Sequence, residues 1–205
     1  MFAWLRLVGK LRTDQDRVLG RANRANVYAP PWPAGPDAAT AAVDAQRKKT
    51  LIGHAPKQCN CIGFTFGLGD WEIATDHVTD ILADGYHGVL EGTARVCNVI
   101  VWGDPERGYD HAGLVVEVTP AGAPKVIRSK SATSRFIYEH PADVAPFGAD
   151  YQIYERNNLP APGSAERTAI DDAQAAYDAI ADKTSRAAHD AATLLCQRKN
   201  ALRGA

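Results

Sequence analysis

Two cysteines stand two positions apart in Gln58-Cys59-Asn60-Cys61-Ile62-Gly63-Phe64-Thr65-Phe66-Gly67. The small and aromatic residues after them suit a helix start packed tightly on a sheet. A thiol there gains from unpaired backbone N–H groups and the helix dipole, which favour the thiolate. The base for such a nucleophile is His111, in Tyr109-Asp110-His111-Ala112-Gly113-Leu114-Val115-Val116 at the head of an apolar run that reads as a buried strand. A neutral imidazole takes the thiol proton near pH 7, and the imidazolium then stabilises the thiolate. A third group must orient the ring. The candidates are His140 and Ser129, since Asp110 is too near in sequence to face it. In a helix, residues two apart point about 200° from one another, so only one of the thiols faces the sheet. Cys61 is in register with Gly63, Phe64 and Gly67, whereas Cys59 precedes the helix start.

Blander roles compete. Free cysteine often serves as a small buried hydrophobe, and a lone histidine is commonly a satisfied polar residue. Gly63 and Gly67 weigh against that, because glycine inside a helix costs about 1 kcal/mol relative to alanine and close backbone packing would offset the cost. Other candidates carry less. Asp76, His77 and Asp80 read as exposed helix polars rather than metal ligands. Gly67-Leu68-Gly69-Asp70 lacks the lysine of a phosphate loop. Ser129 and Ser131 lack a G-x-S-x-G elbow. Cys59 and Cys61 do not form a C-x-x-C pair, and Cys97 and Cys196 stand alone, so neither a zinc site nor a disulfide framework is expected. The expectation is an enzyme without metal or cofactor.

The positioning elements follow from pattern. The chain has 205 residues, 45% hydrophobic, with a net charge of -1. That balance gives no electrostatic case for nucleic acid or an anionic membrane. The first ten residues do not form a secretory signal, and no run spans a bilayer. The default is a soluble cytoplasmic protein, with signal-free export as the alternative. Residues 1–26 read as helical from Trp4, Leu5, Val8 and Leu11, and an N-terminal helical extension is expected over 1–50. Its linker, 27–36, holds Pro30, Pro31, Pro33 and Pro36 and must be extended. A segment of that kind could lie in a substrate cleft and restrict access. Asp37 caps a short helix, and a second helix starts at Thr75-Asp76 and ends at Gly85, with a turn at Tyr86-His87-Gly88.

Strands are expected over 96–102, 111–118, 125–130, 135–141 and 150–156. The fold class is therefore α+β, with helices on a four- to five-stranded antiparallel sheet and a core over 51–160. Residues 163–205 read as helical, with a heptad-like stripe from Ile170 to Leu194. An unbroken helix there would reach about 55–60 Å. It must break near Asp182-Lys183 or project onto a partner or a second copy.

Asn60-Cys61-Ile62-Gly63-Phe64 resembles the Asp-Cys-Ser-Gly-Phe nucleophile element of NlpC-like cell-wall peptidases. His111-Ala112-Gly113-Leu114-Val115 resembles their His-Val-Gly-Ile-Tyr strand, and Val99-Ile100-Val101-Trp102-Gly103 the strand before it. Ser129-Lys130 and His140-Pro141 stand where less characterised bacterial papain-like domains carry a Ser-Lys and a His-Pro. The likeness covers roughly residues 58–130. It implies a papain-like core and a cysteine hydrolase, with Cys61 as nucleophile and His111 as base. The substrate would be a peptide or peptidoglycan-type amide or isopeptide. The Cys61 N–H, with Gln58 or Asn60, would form the oxyanion hole. Two alternatives use the same fold: a thiol acyltransferase or deamidase, and an inactive binding domain. The chain departs from the family pattern at Cys97-Asn98 and near Arg128-Ser129, which leaves the third catalytic position open.

Overall fold

The computed structural model describes residues 10–28, 33–131, 134–144 and 150–202. The helical reading of 1–9 and the prolines at 30 and 31 lie outside them.

Residues 10–28 are not helical. A tight turn pairs Arg12 with Val18, and β1 (Ala22–Arg24) follows. The apolar spacing that suggested a helix instead sends Leu11 and Leu19 into the core from both arms of that turn. Asp37 does cap α1 (Ala38–Gln46), accepting a bond from the Thr40 N–H at 2.8 Å. Next come β2 (Thr50–His54), α2 (Cys61–Phe66), β3 (Trp71–Ile73), α3 (Val78–Gly85) and β4 (Tyr86–Val89). The remaining strands are β5 (Val99–Asp104), β6 (Gly108–Val118), β7 (Pro124–Lys130), β8 (Phe136–His140) and β9 (Tyr151–Arg156). Two helices close the described chain, α4 (Ala165–Asp178) and α5 (Arg186–Asn200).

The architecture is α+β. β1 pairs with β3, and seven strands form the main sheet in the order β2-β8-β7-β6-β5-β9-β4, every neighbour antiparallel. The expected central strands are present. Two further strands form the edges of the sheet: β4, where a turn is expected at Tyr86-His87-Gly88, and β2, which follows directly on α1. Edge strands have one pairing partner, and short ones carry little alternation to betray them. Among the described residues, no helix is long and apolar enough to cross a membrane.

The C-terminal segment breaks where Asp182-Lys183 suggested. Ser164 and Ser185 cap the two helices, and α5 folds back along α4. α5 packs on β6 and α2. A disulfide between Cys97 and Cys196 ties it to the sheet, 99 residues apart in sequence. A single bond is not a disulfide framework, and neither cysteine has a neighbour in sequence to mark the pair.

Strand alternation divides the sheet into two faces. Val99, Val101, Ala112, Leu114 and Val116 face α2 and α5 in one cluster, together with Cys61 and Leu195. Ile100, Trp102, Val115 and Ile127 form a second cluster on the opposite side.

Candidate active site

The start of α2 is built by Asn60. Its Oδ1 accepts from the Gly63 N–H at 2.8 Å and the Ile73 N–H at 3.3 Å, while its Nδ2 donates to the Ile73 carbonyl at 2.5 Å. One side chain thus caps the helix and fastens it to β3. Asn60 is therefore committed to structure, which answers the expectation that it serves an oxyanion hole. Gly63 is fixed by the same contact, since a Cβ there would sit 1.6 Å from the Trp71 carbonyl oxygen. Only glycine allows β3 to approach so closely.

Cys61 is the first residue of α2 and is 4% exposed. The N–H groups of Cys61, Ile62 and Ala112 are directed at its sulfur, yet burial outweighs them and raises the thiol pKa. A six-residue helix has a small dipole, so these local N–H groups carry the electrostatic support. Ala112 is the residue after His111, and its nitrogen belongs to the peptide bond that joins the two. The thiol therefore meets β6 at the residue next to the candidate base.

The His111 ring takes the other side of β6. It packs against Trp102, its cross-strand neighbour, at 5.2 Å between centroids, and against His140 at 6.5 Å. Burial pushes its pKa down to about 3, helped by His140 and Lys49. His140 lies low for the same reason, at about 4. His140 Nδ1 lies 2.9 Å from the Pro141 carbonyl, which can only accept, so Nδ1 carries the proton. Nε2 then accepts from the Ser129 hydroxyl at 2.9 Å. Ser129 and His140, the two candidates for the third position, are thus bonded to each other. Both nitrogens of His140 are engaged, so it bears on His111 through ring contact and charge.

Cys59 is also buried, which raises its pKa to about 11. It differs from Cys61 in lining a cavity of about 360 Å3 between α2, α5 and β2, together with Phe64, Ile137 and Thr193. Lys130, half of the Ser129-Lys130 pair, also belongs to this region. Its side chain is fully buried and donates to the Tyr28 hydroxyl at 3.3 Å and to the Ser134 carbonyl. Burial lowers its pKa, opposed chiefly by Cys59 and Cys61. Its strand position, two after Arg128, which bonds Asp190 of α5, puts it on the thiol face of the sheet. Lys125, Arg128 and Ser129 make this strand polar as well, so its sequence carries no signal that singles out Lys130. Among the described residues, no group of three or more His, Cys, Asp or Glu is placed to hold a metal ion.

Comparison with known proteins gives no match to a family model, a curated protein or a solved structure.

Proposed function

We propose that the protein is a cysteine hydrolase of papain-like type that cleaves an amide or isopeptide bond in a peptide or peptidoglycan-type substrate. Cys61 is the nucleophile and His111 the base, with His140 and Ser129 behind it. One observation carries this reading: the Cys61 sulfur is directed at the N–H of the peptide bond that leads out of His111, at the start of a glycine-locked helix. Cys61 meets β6 at Ala112 from the helix side, while the His111 ring lies on the opposite side against Trp102 and His140, so β6 must shift locally for the imidazole to reach the thiol.

The resting state is neutral. A raised thiol pKa and an imidazole at about 3 oppose transfer of the proton before substrate arrives. The N–H groups around the sulfur would stabilise the thiolate once its proton has left. Substrate entry must therefore solvate His111 or bring a dipole to it. A second reading, thiol chemistry at Cys59, is favoured by the cavity that this residue lines. Transfer to an amine rather than water would use the same acyl-enzyme.

The test is reaction with a peptide bearing an electrophilic ketone, followed by mass mapping, alongside amide turnover in Cys61→Ser and Cys59→Ser. The expected result is a label on Cys61, with turnover lost only in Cys61→Ser. A label confined to Cys59 would establish the second reading. A folded chain that neither labels nor turns over would leave an inactive scaffold.

A further inference from the structure

A cavity of about 470 Å3 opens on another part of the molecule, where the turn at Asp14, the start of α4 and the end of α5 meet. Its volume lies in the range that holds small organic ligands, about 300–1,000 Å3. One wall is built around the buried Arg156. Its Nε and Nη2 donate to the Asp14 carboxylate at 3.1 and 2.5 Å, and its Nη1 donates to the Lys199 and Ala201 carbonyls at 2.7 and 2.6 Å. That wall is preformed and its charge is already balanced. The apolar lining comes from Leu68, Leu159, Pro160 and Leu202. Leu68 holds a φ of 55°, in the left-handed region that a leucine rarely adopts. Residues kept in such conformations cluster at ligand sites, where the surrounding structure sustains the strain.

Two charges remain at this cavity. Glu166 lines it from the first turn of α4, and Arg198 from the last turn of α5. Neither side chain has an ion-pair partner among the described residues. Each suits its own helix dipole, but that does not explain why both border one cavity, whose lining mixes polar and apolar groups. A guanidinium fork matches a carboxylate in two parallel hydrogen bonds, and a carboxylate pairs with an ammonium. We infer that this cavity binds a small apolar zwitterion, a free amino acid or short peptide with an aliphatic side chain, its carboxylate at Arg198 and its ammonium at Glu166.

The site shares no charged group with the thiol centre, so the inference stands apart from the proposed hydrolysis. The experiment is calorimetric titration of the full chain with L-leucine, leucyl-leucine, N-acetyl-leucine and leucinamide. L-leucine or leucyl-leucine should bind, and each blocked derivative should bind at least about tenfold more weakly than leucine. In Arg198→Met the penalty for the amide should vanish, and in Glu166→Gln the penalty for acetylation should vanish. Cys61→Ser should bind as the native chain does, which keeps this result separate from the fate of the nucleophile. The inference is overturned if neither zwitterion binds at about 10 mM. It is also overturned if the blocked derivatives bind as well as leucine, or if either charge variant keeps the native ranking.

Discussion

His111 and His140 tie the site to the stability of the protein. Both are buried and neutral, at about 3 and about 4, against an ordinary value of 6.5. As pH falls below 6.5, the unfolded chain takes up protons that the fold refuses. Stability from these groups is therefore complete above pH 6.5 and declines down to pH 3–4, by about 1.4 kcal/mol per pH unit for each fully responding group. Depressed carboxylates such as Asp190 contribute only near and below their ordinary value of 3.8, outside the upper part of that window. His111→Phe keeps a ring against Trp102 but cannot titrate. Urea midpoints measured between pH 5 and 6.5 should fall less steeply for this variant than for the native chain. Equal slopes would mean that His111 is protonated in the fold, contrary to its burial.

At the scale of elements, α5 is the piece that the sheet must hold. Two devices do so from opposite ends. The Cys97–Cys196 disulfide joins its C-terminal half to the chain before β5. Nearer its start, His189 lies between two carboxylates, with Nδ1 3.1 Å from Glu139 and Nε2 3.0 Å from Glu117. Glu117 also pairs with Lys125, and Arg128 bridges Glu139 and Asp190. Closing a loop of about 100 residues stabilises a fold by about 4–5 kcal/mol in the chain-entropy view. The double variant Cys97→Ser, Cys196→Ser should therefore melt at lower temperature, with faster amide exchange in α4 and α5. Thiol titration of the native chain, denatured without reductant, should find two thiols, those of Cys59 and Cys61. Four thiols would show that the pair is not joined, and α5 would then rest on packing and the His189 network alone.

For the whole molecule, the N-terminal segment is a brace. Leu11 and Leu19 are buried, Asp14 pairs with the buried Arg156, and β1 pairs with β3 directly after α2. Residues 26–28 run beside the approach to the thiols: Gln58 N–H donates to the Asn26 carbonyl, and Val27 pairs with Lys57. A segment over 27–36 that restricted a cleft would make the chain without residues 1–36 more active. The contacts predict a different outcome: loss of two buried leucines, each worth about 2–5 kcal/mol, together with an uncompensated Arg156. The truncated chain should be unfolded or markedly less stable by circular dichroism and urea titration. A truncated chain as stable as the native one would make the segment an accessory.

What the sequence determined by itself is what local chemistry encodes. Asp37 capping α1, Cys61 opening α2, Gly85 ending α3, the apolar runs of β5 and β6, and the break before Ser185 all rest on neighbours within a few residues. Caps, glycines and periodicity act over that range, so they are readable without a fold. Its candidate residues fall on two sides of the sheet: His111, His140 and Ser129 touch one another on one side, and Cys61 meets the peptide after His111 from the other. Tertiary structure alone decided the rest. Asn60 looked available for catalysis until β3 occupied its amide. Residues 10–28 had helical spacing, yet a turn let both of their leucines reach the core. Cys97 found Cys196 only because α5 folds back onto the sheet, and Lys130 faces the thiols only because β7 lies beside β6 in this register. These outcomes depend on contacts between residues far apart in the chain, where burial and long-range pairing outweigh local preference.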